Sequence, residues 1–325
     1  MDWSTQNPHR RFESGPTTLC TLVWIAHRRA LREPTWVHEN VEQFAVELLR
    51  ECLSDTFIIF TFVYTLESLG WLTARRRRFT IGIRLDVFQR VHFSFQAYVE
   101  SCARINTSSW HDYMRASPTE ISDTIWWASH RDLSLAFLAP AQVRAAIAHE
   151  CRNWPGVNID EIYQCAMESE YTRCLNPAEV RRLVAYRQKA LASSGSCFYL
   201  ICLIGQEPST HPQFSTSRTM FAILKTGGIV WCDGPWCRPM TPPELLMCQG
   251  FPVYPDMFSP ISFSSTFTRQ RHRDRRQVAF QAGNSMPVPM AALAILWATF
   301  GVQKKSPVRL TSGLTKLVRG SRRSS

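Results

Sequence analysis

Glycine-rich phosphate turns, paired metal-binding cysteines and long apolar runs are all missing from these 325 residues. The fourteen glycines never fall in a G-x-G arrangement, which excludes the usual turn that brings backbone close to a dinucleotide pyrophosphate. The eleven cysteines are odd in number and contain no C-x-x-C; Cys197 with Cys202 and Cys232 with Cys237, the closest spacings, lack the second pair that would complete a zinc site. They read as reduced, buried thiols, and no metal is expected. Residues 57–66 and 286–302 are apolar, yet both fall short of the roughly 20 residues a membrane-spanning helix needs. Met1-Asp2-Trp3-Ser4 shows no basic region leading into an apolar one, so a signal peptide is not expected. The composition points to an intracellular protein with no membrane partner, nuclear if the cell is eukaryotic.

Acid is scarce at one end. Residues 269–325 hold 12 Lys or Arg and a single acid, Asp274. The rest balances at 25 basic against 25 acidic residues, so this segment carries the net charge of +11. A polyanionic partner is therefore favoured by the C-terminal part. With 45% hydrophobic residues, the chain can bury a sizeable core and suits one large domain with a smaller one.

What is present begins with helical spacing over 17–29, where Leu19, Leu22, Val23, Ile25 and Ala26 recur and Arg28, Arg29 and Arg32 follow. Pro34 ends it. Residues 35–38 read as a buried strand, 41–53 as a helix, 57–63 and 79–83 as further strands, an alternation that predicts an α/β sheet. That rhythm is lost over 84–237, where helical patterns at 141–150, 160–168 and 177–191 suggest an inserted, largely helical second domain. It returns at 238–300: Thr241-Pro242-Pro243-Glu244 opens a helix with a capping box, Gln249-Gly250-Phe251-Pro252 turns out of it, and an apolar helix runs to about Phe300. Residues 301–325 read as a basic, disordered tail. Trp24, Trp36 and Trp297 are expected in the core.

The residues with chemical potential lie mostly near strand ends. Glu39, in Trp36-Val37-His38-Glu39-Asn40-Val41, is expected directly after a strand, where ligands of open α/β sheets sit and where partial desolvation raises a carboxyl pKa. On this tripeptide alone, a loop acid capping the next helix is the favoured reading. Arg75-Arg76-Arg77-Arg78 on its own is a solvated basic turn or a nuclear-targeting run. Asn284 and Ser285, ahead of a helix, are on their own no more than N-cap residues.

Taken in order, these segments resemble the second half of the cytosine-5 DNA methyltransferases. The resemblance is carried by Phe12-Glu13, Thr18-Leu19, residues 34–44 with Glu39-Asn40-Val41, Gly70 to Phe79, Thr241 to Pro252 and Gln281 to Met286. It covers 1–83 and 231–300. The family implies a Rossmann-like sheet that binds S-adenosyl-L-methionine, here in part, with 84–237 in the place of the target-recognition domain. It implies that Glu39 protonates or hydrogen-bonds ring nitrogen 3 of a flipped cytosine so that a thiolate can add to carbon 6, and that Asn40 holds adjacent loops. Arg75 and Arg77 would bond near the base and the nucleophile loop, with Thr73 replacing the family's glutamine. Asn284 and Ser285 would border the S-adenosylmethionine pocket. Duplex DNA is the implied partner, with RNA, tRNA in particular, as the alternative substrate of the same family.

One element of that chemistry is absent: no Pro-Cys dipeptide occurs anywhere. The sequence thus reads as a truncated methyltransferase that transfers no methyl group by itself, or as a noncatalytic nucleic-acid-binding or regulatory remnant. In either case the basic C-terminal segment predicts sequence-indifferent affinity. Fluorescence anisotropy with duplex DNA should show Kd rising at least about tenfold from low to physiological salt, and a salt-independent Kd would rule this out.

Overall fold

The computed structural model describes residues 16–103, 110–196, 199–217, 219–223, 228–234, 236–254, 282–283 and 285–305. The architecture is mixed α/β, with three small sheets among the described residues. The chain divides into two compact units. One contains the chain up to Val63, Arg77–Ser101 and the chain from Leu293 on; the other contains Tyr64–Arg76 and Cys102–Ala292.

The first unit starts with α1 (Pro16–Leu31), β1 (Thr35–Asn40), α2 (Val46–Leu53), β2 (Phe57–Thr65) and β3 (Arg76–Arg84). Its sheet has the order β1-β3-β2, so the third strand lies between the first two. β1 and β3 run antiparallel, with Trp36 opposite Gly82, His38 opposite Thr80, Glu39 opposite Phe79 and Asn40 opposite Arg78. Alternate residues face opposite sides of a strand, so Trp36, His38, Asn40, Arg78 and Thr80 share one face. Trp36 there joins Ile25 of α1 and Val46, Leu49 and Leu53 of α2 in one cluster. Its indole lies over Gly82, where a Cβ would be built into the ring.

A second set of strands, β4 (Phe88–Val91) and β9 (Val302–Lys304), pairs antiparallel beside α3 (Phe95–Cys102). Here the rings of Phe60 and Phe62, two residues apart on β2, meet Trp297 edge-on at 5.1 and 5.2 Å, and Phe62 stacks on Phe95 at 3.9 Å. Trp297 is buried and its Nε1 donates to the Phe93 carbonyl at 2.9 Å. The expectation that Trp36 and Trp297 are core residues holds, and Trp24 is partly buried against the same cluster as Trp36.

The second unit carries α4 (Pro118–Ser129), α5 (Pro140–Cys151), α6 (Ile159–Met167), α7 (Glu170–Arg173) and α8 (Pro177–Ser194), followed by β5 (Tyr199–Leu203), β6 (Phe214–Ser215), β7 (Ile229–Asp233) and β8 (Trp236–Pro239). α5, α6 and α8 stand where the periodicity placed them, whereas α4 and α7 are additions. The four-stranded antiparallel sheet, order β6-β5-β7-β8, is an addition to a region expected to be largely helical. Its strands are buried on both faces: Leu200, Cys202, Val230 and Cys232 enter the cluster of α5, α6 and α8, while Ile201, Leu203 and Ile229 enter a second cluster with Leu245 and Met240. Double-sided burial produces a continuous apolar run instead of alternation, which hid these strands from a periodicity argument.

Two further features differ from or confirm expectation. Cys232 and Cys237, directly opposite across β7 and β8, form a disulfide, so not every cysteine is a reduced thiol. Glu244 of α9 (Pro242–Met247) is fully buried; it accepts from Thr241 N at 2.9 Å, from Ala116 N at 2.9 Å and from both terminal nitrogens of Arg238 at 2.8 and 2.9 Å. That bears out its architectural, helix-capping role. α10 (Val288–Leu296) then continues as a π turn through Gly301.

The contact of Trp36 with Gly82 is directly testable. Gly82→Ala should destabilise by about 3 kcal/mol through overpacking, and pairing it with Trp36→Phe should restore part of the loss in a denaturation midpoint. An unchanged midpoint for Gly82→Ala would contradict the packing.

Candidate functional site

Glu39 is the fifth residue of β1 and is held inside the ladder by its pairing with Phe79. It was expected to follow the strand; instead β1 extends through Asn40, because the antiparallel ladder continues to the Asn40 and Arg78 pair. Arg77 lies two residues before Phe79 on β3, hence on the same face as Glu39 and diagonal to it. Its Nε reaches Glu39 Oε1 at 2.9 Å, and each side chain is 20% exposed. Burial pushes the Arg77 guanidinium below its usual value, and the Glu39 carboxylate opposes that shift. The geometry thus joins two segments that the sequence could align only by order.

Asn40 is half-buried and its Oδ1 accepts from the Val41 backbone N–H at 2.8 Å. This bond shapes the turn between β1 and α2, where Phe44 N also donates to the Val41 carbonyl at 3.1 Å. The side-chain amide nitrogen remains as a donor.

Arg75 belongs to the other unit. It is 3% exposed and its Nη1 donates to the Gly283 carbonyl at 3.2 Å and to the Ile223 carbonyl at 3.5 Å. The segment before it is pinned: Thr73 Oγ1 donates to the Cys248 carbonyl at 2.8 Å, and Ala74 N donates to the Met220 carbonyl at 2.6 Å. Arg75 is therefore tied to the Gly283-Asn284-Ser285 segment, a link between two of the predicted motifs. Within that segment, Ser285 is half-buried and its hydroxyl donates to the Ala282 carbonyl at 2.9 Å. Asn284 lies outside the described residues.

Sequence reasoning passed over two residues that the ladder places beside the acid. His38, one residue before Glu39, projects to the opposite face, where its ring sits 4.9 Å from Trp24 and 5.0 Å from Phe44. Burial lowers its pKa from 6.5 to about 4. Arg78, expected to be solvated, is half-buried opposite Asn40. Counting by twos from Asn40 and from Arg78 would have assigned both to the helix-covered face.

Among the described residues, no helix is long and apolar enough to cross a membrane, and no group of three or more His, Cys, Asp or Glu could hold a metal ion. No protein-family profile matches the sequence and no curated protein does. Among solved structures, the chain is similar to a protein described as a DNA modification methyltransferase encoded within an E. coli prophage, with 15% identity and a TM-score of 0.43, over 85% of this chain and 72% of that one. It is also similar to the S. pombe Dnmt2 methyltransferase, with 12% identity and a TM-score of 0.36, over 91% of this chain and 75% of that one. Neither likeness is close enough to carry a functional argument, which rests on the side chains.

The buried imidazole predicts a pH effect. His38 is neutral in the fold and binds a proton more readily once unfolded, so its contribution is complete above about 6.5 and is lost as pH falls toward about 4. Denaturation in phosphate-free buffer should show a loss on the order of 3 kcal/mol across that window. His38→Phe should flatten the curve; equal slopes for both proteins would remove His38 as its origin.

Proposed function

We propose that this chain is the cytosine-engaging part of a cytosine-5 methyltransferase-type protein, with Glu39 as the group that pairs with ring nitrogen 3. The supporting observation is the 2.9 Å pair of Arg77 and Glu39, which unites the two motifs that the family resemblance assigns to the base pocket. The antiparallel β1 and β3 strands supply a rigid mount for both side chains. In this reading the three-stranded sheet is part of the family's Rossmann-like sheet, and residues 84–237 take the place of the target-recognition domain.

The chemistry follows from the geometry. A proton shared between Glu39 and nitrogen 3 withdraws electrons from the ring and makes carbon 6 open to attack by a thiolate. Arg77, paired with Glu39 at 2.9 Å, holds the carboxyl in place and stabilises its carboxylate form while the shared proton resides on nitrogen 3. The base must leave the duplex to reach a site of this kind. Asn40 shapes the turn directly after the acid and so sets the position of the loop that follows it.

S-adenosyl-L-methionine, the methyl donor of the family, does not find a complete site in these residues. The Ser285 hydroxyl is engaged within its own turn, and no G-x-G turn occurs in the sequence. No step is derived through the cofactor. The family's Pro-Cys nucleophile motif likewise does not occur in these 325 residues, so no thiolate is assigned to the attack on carbon 6. The same absence favours a second reading, a noncatalytic nucleic-acid-binding protein that uses the base pocket for recognition. A tRNA cytosine is as compatible with the Glu39 geometry as a DNA cytosine.

Binding of a short DNA duplex with one mispaired cytosine tests the proposal. The chain should prefer cytosine to thymine at that position, and Glu39→Ala should weaken the cytosine complex by about tenfold, the equivalent of one charged hydrogen bond. Indifference to the mispaired base would sink the assignment. A parallel tritium-transfer assay should show no turnover by this polypeptide alone, and turnover would overturn the noncatalytic reading. An equivalent series in tRNA distinguishes the two nucleic acids.

A further inference from the structure

The face of the β1 and β3 ladder turned away from Glu39 has an unusual property. Four side chains on it bury polar atoms that have no hydrogen-bond partner among the described residues: Trp36 Nε1 within the aromatic cluster and, towards the end of the ladder, His38 Nδ1, Thr80 Oγ1 and Arg78 Nε. His38 and Thr80 are directly opposite one another, and Arg78 is opposite Asn40 one step further along. Buried polar atoms without partners are uncommon, and each costs stability. Three in adjacent ladder positions call for a shared explanation.

Every member of the group can donate, and only Arg78 is charged. A guanidinium has only donors, a hydroxyl and a side-chain amide can donate, and a neutral imidazole can donate through Nδ1. Thr80 Oγ1 and the neutral His38 ring can also accept, but Asn40 Oδ1 already takes the Val41 N–H, which leaves its amide nitrogen as the donor. Among the described residues Arg78 makes no ion pair, in contrast to its neighbour Arg77. A partly desolvated guanidinium without a counter-charge is unfavourable, and a ligand rich in acceptors with negative charge would relieve it. Arg78 and Asn40 are half-buried, whereas Thr80 is 1% exposed. His38 is half-buried as well, so of the four residues Thr80 lies deepest and the other three retain some exposure.

We propose that this face is a phosphate-binding niche, with Arg78 as its charge and Asn40, Thr80 and His38 as its hydrogen-bond donors. A phosphoryl group has acceptors on every side, and guanidinium donors match it well. Directly opposed side chains have Cβ atoms about 5 Å apart, and successive pairs on a face are about 7 Å apart along the strand, a span that one phosphoryl group bridges. The group could belong to a nucleic-acid backbone or to free phosphate; the recognising chemistry is the same. The assignment does not rest on methyl transfer, since it uses the opposite face from Glu39.

Thermal unfolding and calorimetry with inorganic phosphate, against chloride at equal ionic strength, test it. Phosphate should stabilise the full chain by mass action. Arg78→Leu and Thr80→Val should each weaken phosphate binding by about tenfold, and Arg78→Lys, which keeps the charge, should recover most of it. Thr80→Val should leave the melting temperature without phosphate unchanged or higher, since it removes an unbonded hydroxyl; this variant carries the test if Arg78→Leu does not fold. Competition between phosphate and a single-stranded oligonucleotide lacking a terminal phosphate would assign the site to a nucleic-acid backbone, whereas phosphate binding without competition would assign it to free phosphate. Equal stabilisation of the wild type and all variants would mark a general salt effect and overturn the proposal. Mispaired-cytosine preference in Arg78→Leu should be unaffected, so failure here is separable from failure of the Glu39 assignment.

Discussion

The register of β1 against β3 is the constraint on which the rest of the first unit depends. With Glu39 opposite Phe79 and Asn40 opposite Arg78, Glu39 and Arg77 share one face, and His38, Thr80 and Arg78 share the other. A slip of one residue would exchange the faces. Glu39 would then turn toward α1 and α2 without Arg77, and His38 would lose Trp24 and Phe44. Such a slip also places Trp36 opposite a residue with a side chain, and only Gly82 leaves room for the indole. The register is thus specified by packing on the helix-covered face, and the acid on the other face inherits its position from a tryptophan and a glycine.

The chain path imposes a second condition. Between β2 and β3 the segment Tyr64–Arg76 belongs to the second unit, where Thr73, Ala74 and Arg75 are bonded to Cys248, Met220 and Gly283. Arg75 and Arg77 are two residues apart yet lie in different units. The backbone that delivers Arg77 to Glu39 is therefore anchored at one end by the ladder and at the other by buried bonds to residues far along the sequence. Thr73 contributes to that anchorage through its bond to the Cys248 carbonyl.

Much of this was legible in the sequence. The strands at β1, β2 and β3 and the helices α1, α5, α6 and α8 stand within a few residues of their sequence patterns. The sheet of β5 to β8 was not legible: its strands are buried on both faces and lack alternation, and β6 has only two residues. The bond between Cys232 and Cys237 was hidden for a related reason, since a five-residue spacing becomes a cross-strand pair only once the β7 and β8 hairpin is known. At the site, Glu39 and Arg77 were nominated by motif order, but their contact needed the ladder. Asn284 was nominated and lies outside the described residues.

The four consecutive arginines show most clearly where sequence reasoning stops. Arg75 is buried and bonded to backbone carbonyls, Arg76 is exposed, Arg77 is paired with Glu39, and Arg78 is half-buried with its Nε unbonded. Composition treats them as one solvated run, and strand alternation accounts for only part of the difference, since Arg75 and Arg77 have the same parity and different surroundings. What separates them is the partner each burial brings. Carbonyl oxygens satisfy Arg75 without cancelling its charge; a carboxylate does both for Arg77; among the described residues Arg78 has neither. A charge taken out of water without compensation is costly wherever it occurs, so of the four it is the half-buried Arg78 on which the proposed anion site is built.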